Sequence, residues 1–368
     1  MQLTSKILLN TTPEQLDALE RTLRMTNTCC DYMSKIAFER KVFNRFSLQK
    51  MAYREVRETF ASLASQIVIR AFAKVSDAYA LDHKVLRTFQ PLGAISYDSR
   101  ILSFKLVDKT VNIWTVAGRL KIPFRCGDRQ FELLQGKRGE ADLVFIDGRF
   151  YLFVACEVET PKPIDVQGVL GVDLGIVNIA TDSDGQVFSG ADIEQNRRKY
   201  AHRRRNLQRN GSKSAKRKLK NISGKQSRFQ KDTNHRISKC IVRKAQDTNR
   251  SIALEDLSGI RDRVTVRRRQ RARHANWSFH DLRTKIEYKA KQAGIPVIPV
   301  PPRNTSKMCS VDGYIDSANR VTQSRFKCVR CGFADLADHN AAVNISARAA
   351  VMQPMVSASA GQEQATPL

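Results

Sequence analysis

The spacing of apolar positions changes twice along the chain, and each change predicts a different kind of element. Residues 3–9 alternate loosely between apolar and polar, as a strand does. Thr12 then offers a helix N-cap, Pro13 suits the first helical position, and Gln15 completes a capping box. Leu16, Leu19 and Leu23 follow at helical spacing, and helical character continues, with breaks, to about residue 88. From about 95 to 160 the period falls to two. Stretches 95–105, 110–116, 120–124 and 130–134 read as short strands. The strongest hairpin is the pair of apolar runs 143–146 and 150–154, joined at Asp147-Gly148, where the turn demands positive φ. Together these predict a β-barrel or sandwich, separated from its first strand by a helical segment.

Beyond Pro161-Lys162-Pro163, which reads as a linker, the pattern changes again. The apolar run 169–172 ends at Asp173, and strands at 176–181 and 186–188 flank an Asp184-Gly185 turn. Residues 195–230 are overwhelmingly basic and helical in part. The apolar run 252–254 ends at Glu255, and a second basic run spans 261–273. Leu282, Ile286, Ala290 and Ala293 repeat at helical spacing, with Gly294 placed to stop the helix. A strand at 295–300 is flanked by prolines, and Asp338 opens a short helix at 340–347. The tail after about 351 is rich in Ser, Ala, Gln and Gly and is expected to be disordered.

Charge changes the picture most. The chain has 63 Lys and Arg against 36 Asp and Glu, a formal net charge of +27. So large a surplus favours polyanionic partners, nucleic acid first, because each neutralised phosphate releases a counterion. An anionic membrane is the competitor, but no apolar stretch approaches the roughly 20 residues needed to span one. The first residues carry no apolar run behind a basic head, so no secretory signal is expected. The eight cysteines do not read as a disulfide framework. Cys309, Cys328 and Cys331 cluster late and suggest metal.

Asp173 and Glu255 each end an apolar run that looks like a central strand, and Asp338 sits just before a small-residue helix. Adjacent parallel strands would set the first two side by side, with the third delivered opposite. Three carboxylates in one cleft repel unless cations intervene, and their hard oxygens suit Mg or Mn. Singly, such an Asp is more often a turn or cap residue, and Asp182, Asp184, Asp256 and Asp335 are read that way. The joint pattern carries a resemblance. Gly171-Val-Asp173-Leu-Gly175-Ile-Val-Asn178, Leu254-Glu255-Asp256-Leu257 and Asp338-His-Asn340-Ala-Ala-Val-Asn344-Ile345 resemble the three RuvC motifs of TnpB proteins. Thr233-Asn-His235, Trp277-Ser-Phe279, Tyr288-Lys-Ala290, Arg303-Asn-Thr305-Ser-Lys307 and the opening Thr12-Pro-Glu-Gln15 are similar to further signatures of that family.

The resemblance implies a multidomain α+β protein. An N-terminal wedge-type β-barrel (1–10 plus 89–163) carries a helical recognition insertion (11–88). An α/β RNase H-like RuvC nuclease domain follows (164–302 and 336–350), with a basic helical insertion at 195–245. A zinc-ribbon-like element that binds target nucleic acid is inserted at 303–335, and 351–368 is tail. It implies an RNA-guided DNA endonuclease of a transposable element, in a prokaryotic cytoplasm and associated with the nucleoid. Catalysis uses Mg or Mn on Asp173, Glu255 and Asp338, and the partners are guide RNA, target duplex and displaced single strand, with monomer and dimer both open. The alternatives are an RNA-guided binding protein with weak or no cleavage (a repressor or relic) and a compact type V CRISPR effector.

Cys328-Val-Arg-Cys331 is one zinc-knuckle half. The other reads Cys309-Ser-Val-Asp312, with Asp where a second Cys is expected. Three readings stay open: structural zinc on three Cys and Asp312, zinc on three Cys and another group, or a metal-free ribbon. Arg197, Arg198, Arg203, Arg204 and Arg205 in the first basic run, and Arg267, Arg268 and Arg269 in the second, are candidate phosphate contacts. Such contacts position a strand without reading its sequence.

Overall fold

A computed structural model describes residues 1–256 and 279–352. The chain divides into two compact units, Met1–Glu159 and Thr160–Leu368. Among the described residues it is mixed α/β with eight helices.

In the first unit, β1 (Gln2–Leu9) leads into α1 (Pro13–Arg40) through the expected capping box. The Gln15 amide donates to Thr12 Oγ1 at 3.3 Å, and the Thr12 amide donates to Gln15 Oε1 at 3.1 Å. The helical stretch is broken into α1, α2 (Arg45–Thr59) and α3 (Ser65–Leu81). Lys41 stops α1 with a φ of 54°, and Asn44 restarts the chain by accepting the amides of Phe46 and Ser47.

The period-two stretch forms β2 (Ile95–Tyr97), β3 (Leu102–Lys105), β4 (Thr110–Thr115), β5 (Gly118–Arg125), β6 (Arg138–Ile146) and β7 (Arg149–Glu157). With β1 they make a seven-stranded, nearly closed barrel-like sheet in the order β2-β6-β7-β1-β5-β4-β3. Its inward positions, among them Ile7, Ile113, Leu143, Leu152 and Val154, are fully buried. The β6–β7 hairpin turns at Asp147 and Gly148 with φ of 49° and 78°, as their sequence demands.

Two expectations fail locally. The stretch 95–105 is two strands, because Asp98 accepts the amides of Arg100, Ile101 and Leu102 and turns the chain. The segment 130–134 is not a strand but part of α4 (Asp128–Gln135). An acidic first turn at Asp128 and the three-residue spacing of Phe131 and Leu134, with Leu134 buried, favour the helix there.

The second unit is built on five strands, β8 (Gly168–Asp173), β9 (Asn178–Asp182), β10 (Val187–Ser189), β11 (Arg250–Glu255) and β12 (Val297–Val300). Their order is β10-β9-β8-β11-β12. Neighbours among the first three pair antiparallel, and neighbours among the last three pair parallel. Helices α5 (Ala191–Asn210) and α6 (Lys213–Asp247) intervene before β11, joined at Gly211, whose φ is 67°. Helix α7 (Phe279–Gln292) precedes β12 and is stopped by Gly294 with φ of 70°. Helix α8 (Ala337–Met352) is the last described element. It starts before Asp338 and runs past the expected 340–347 span.

The sheet is covered on both faces, so the central residues of β8 and β11, 169–172 and 252–254, are apolar and buried. Leu170, Val172, Ile252 and Leu254 pack with Ile237 and Ile241 of α6 and Leu282 and Ile286 of α7. On the other face Val169, Ala253 and Val300 meet Ile345 and Ala349 of α8. A small hairpin, β13 (Arg325–Lys327) and β14 (Ala334–Leu336), precedes α8. Among the described residues, no helix is long and apolar enough to cross a membrane. Arg267, Arg268, Arg269, Trp277 and the tail from 353 lie outside the described residues.

Gly171 fixes how closely α8 approaches the sheet. A Cβ there would overlap the Ala342 carbonyl and stand 2.6 Å from the Ser346 amide nitrogen, both backbone atoms that cannot rotate away. Gly171→Ala is therefore expected to destabilise the protein by about 1–3 kcal/mol or more, read as a lower denaturant midpoint. An unchanged midpoint would show that α8 does not lie on β8 in this way.

Candidate active site and metal centre

Parallel pairing sets Val172 opposite Leu254, so Asp173 and Glu255 end adjacent strands side by side. Helix α8 crosses β8 and presents Asp338 in its first turn. Asp173 touches solvent through only part of its side chain and is otherwise ringed by protein. Burial, then the charges of Glu255 and Asp338, push its carboxyl up to about 8, against the pull of Arg320 and the Leu174 amide. Burial also raises Glu255, opposed first by the Thr305 hydroxyl, which donates to its Oε1. The two oxygens of Asp338 are held separately. Asn178 Nδ2 donates to Oδ2 at 2.9 Å, and the Arg320 guanidinium stands 3.9 Å from Oδ1. The structure thus brings the three expected carboxylates together. Their hard oxygen donors and a negative charge that Arg320 offsets only in part fit divalent cations of the Mg or Mn kind.

The neighbouring acids are occupied elsewhere. Lys244 Nζ lies 2.6 Å from the fully buried Asp182 and 2.9 Å from Asp184, which also pairs with Arg250 at 2.6 Å. Asp335 pairs with His339 at 2.6 Å, and Asp256 with Arg283 at 3.1 Å.

Cys309, Asp312, Cys328 and Cys331 form a second group, whose four candidate ligand atoms all lie within 4.8 Å of one another. The acidic trio does not form so tight a group. Cys309 and Cys331 sulfurs are 3.7 Å apart, and Cys328 sulfur is 3.7 and 3.8 Å from the two Asp312 oxygens. Tetrahedral coordination with metal–sulfur bonds of about 2.3 Å gives a sulfur–sulfur edge of about 3.8 Å, so the donors stand close to coordinating positions. The Tyr314 amide donates to Asp312 Oδ1 at 3.0 Å and is the largest influence holding its carboxyl down, to about 2. Arg330, inside the second knuckle, donates to Oδ2 at 3.0 Å.

The basic candidates divide. Arg197 and Arg198 are engaged by Glu194 at 2.7 and 2.9 Å, and Arg204 by Gln226 at 2.8 Å. Arg203 and Arg205 are exposed on α5, a helix with no buried residue.

Comparison with known proteins bears on this geometry. The model of the Cas12f1-like TNB domain matches residues 279–345, and the OrfB_IS605 model, described as a probable transposase, matches 153–258. The chain is 35% identical over 216 residues to a CRISPR-associated endodeoxyribonuclease Cas12f1 of Sulfoacidibacillus thermotolerans, covering 54% of this chain and 50% of that protein. It is 31% identical over 182 residues to a TnpB-like protein of Methanocaldococcus jannaschii, covering 46% of this chain and 65% of that one. Over about half of its length the chain is thus similar in sequence to TnpB-like and Cas12f1 proteins. A putative RNA-guided DNA endonuclease, InsQ of Escherichia coli K12, is 28% identical over 220 residues, 54% of each chain. The chain spans about half the length of the curated proteins it matches. Its fold is shared with Cas12f1 as solved by cryo-EM in a complex with sgRNA and target DNA, at a TM-score of 0.64 and 18% identity, over 89% of this chain and 82% of that one.

The residues that hold the carboxylates were not singled out from sequence. Asn178 and Thr305 lie inside the motifs Gly171–Asn178 and Arg303–Lys307, but nothing in their spacing says that they face Asp338 and Glu255. Arg320 has no local signal at all and is brought in by the fold of the ribbon. Because the metal-free cluster is a set of crowded like charges, Asp173→Asn is expected to stabilise the chelator-treated protein, on the order of 1–3 kcal/mol, in a thermal or denaturant melt. A destabilised variant would contradict the crowding.

Proposed function

We propose that this chain is an RNA-guided DNA endonuclease of a transposable element, acting in a prokaryotic cytoplasm on nucleoid DNA. The observation that carries the reading is the meeting of Asp173, Glu255 and Asp338 at two parallel strand ends and a helix start. The names of the relatives and the shared Cas12f1 fold support it. The five-stranded order, third-second-first-fourth-fifth, supports an RNase H-like RuvC domain at 164–302 and 336–350. The barrel-like sheet interrupted by α1–α3 supports a wedge (1–10 plus 89–163) with a recognition insertion (11–88), where guide RNA would bind.

Asp173, Glu255 and Asp338 would hold Mg or Mn. Bound there, such ions activate a water and stabilise the leaving oxygen of a phosphodiester. The chain's own residues orient the ligands. The strand ends hold Asp173 and Glu255, the Thr305 hydroxyl turns Glu255, and Asn178 and Arg320 fix Asp338 from two sides. Arg203 and Arg205, with the second basic run, would take phosphates of guide and target without reading sequence. Pairing with the guide reads the sequence, and the protein senses duplex shape and a short flanking motif. Cys309, Asp312, Cys328 and Cys331 would hold structural zinc as three thiolates and one carboxylate. The Arg330 guanidinium offsets the surplus negative charge.

The test is cleavage of a plasmid matched to the RNA that copurifies with the protein. Wild type is expected to cut in Mg or Mn, and Asp173→Ala to lose cutting while retaining the RNA. Cleavage by the Ala variant would refute the assignment. Sequencing that RNA separates a transposon-end guide from a CRISPR repeat guide.

A further inference from the structure

Three asparagines of the ribbon and of α8 are buried although Asn is normally a surface residue: Asn319 and Asn340 at 0% exposure and Asn344 at 1%. A buried amide is tolerated only when its polar atoms are paired, and these three spend theirs on the backbone of the ribbon. Asn340 Oδ1 accepts the Ser310 amide at 3.0 Å, and its Nδ2 donates to the Met308 carbonyl at 2.8 Å. One helical turn on, Asn344 Nδ2 donates to the carbonyls of Met308 at 2.7 Å and Thr305 at 2.9 Å. From α8, the helix that carries Asp338, Asn340 brackets Cys309, the first ribbon ligand, and Asn344 holds the segment just before it. Asn319 joins the two knuckles. Its Nδ2 donates to the carbonyls of Lys307 at 2.9 Å and Tyr314 at 3.1 Å, and its Oδ1 accepts the Val329 amide, next to Cys328, at 2.9 Å.

The same segments touch the carboxylates. Thr305, whose carbonyl is held by Asn344, donates its hydroxyl to Glu255. Arg320, which follows Asn319, faces Asp338. The ribbon therefore reaches two of the three acids through side chains, and the third residue of the same helix turn, Asn340, grips the ribbon in return.

We propose that Asn319, Asn340 and Asn344 are positioning residues that couple the two metal centres. Metal held by Cys309, Asp312, Cys328 and Cys331 sets the divalent-cation affinity of Asp173, Glu255 and Asp338. The inference rests on the reading of both groups as metal sites. Ligand orientation by surrounding hydrogen bonds commonly changes metal affinity by about 10–100-fold, and the coupling is of that kind. With the ribbon metal removed, the knuckles lose their cross-link, and Thr305 and Arg320 lose the support that aims them.

The experiment is Mn²⁺ binding to the full chain, followed by the EPR signal of free Mn²⁺. It compares zinc-loaded protein, protein stripped with chelator and dialysed, and stripped protein reloaded with zinc. The expected result is about tenfold weaker Mn²⁺ binding after stripping, restored by zinc. Cys331→Ser, which removes an exposed ribbon ligand, should bind Mn²⁺ as the stripped protein does. Asn340→Ala should do so even when loaded with zinc. Mn²⁺ affinity within twofold (roughly) of the loaded value in stripped wild type overturns the coupling, whatever the variants do. Asp173→Asn separates this failure from failure of the underlying reading. Mn²⁺ binding lost in Asp173→Asn but indifferent to zinc leaves the carboxylate site standing without coupling. Binding unaffected by Asp173→Asn removes the site itself, and the coupling with it.

Discussion

Three half-buried carboxylates placed together repel one another, and the second unit is arranged around that repulsion. Asp173 shows it most directly, its carboxyl pushed up to about 8 by burial and by its two acidic neighbours. A fold selected only for stability would place apolar side chains there. Instead one hydroxyl, one amide and one guanidinium are spent on orienting the acids, and the single guanidinium offsets only part of their charge. Such a cluster is coherent as a cation site and hard to account for otherwise.

The constraint reaches outward through α8. Asp338 joins the other acids only because α8 lies against β8 at Gly171, where a side chain would collide with helix backbone. Ser346 adds a hydrogen bond to the Val169 carbonyl at 2.8 Å, and Ile345 and Ala349 fill the sheet face beside it. The opposite face of the helix grips the ribbon through Asn340 and Asn344. One helix thus joins the sheet that carries Asp173 and Glu255 to the element that carries the cysteines. Asp312 stands in that element as the odd donor, held by the Tyr314 amide and by Arg330.

Much of this was legible in the sequence where a local rule decides the outcome. The capping box at Thr12, the Asp147-Gly148 hairpin and the stop at Gly294 depend on a few consecutive residues, and each forms as its chemistry requires. The acids were legible because apolar runs ending in a carboxylate recur in order with the small-residue stretch near Asp338. Segment 130–134 was misread because five residues carry too little periodicity to separate strand from helix. The single long α6 was read only in part, since a 35-residue helix dominated by charge shows little apolar stripe. Arg320 and the three buried asparagines were invisible for a different reason. Their roles depend on contacts with residues far away in the chain, as Asn178 and Asp338 also show, and no spacing rule encodes those.

The central claim is that Asp173, Glu255 and Asp338 together hold divalent cations. It is tested most directly by a crystal structure of the protein in Mn²⁺, with the ions located by their anomalous scattering. The account predicts manganese ligated by carboxylate oxygens of all three residues. Manganese absent from that cleft, or bound only at other surface acids, would contradict it.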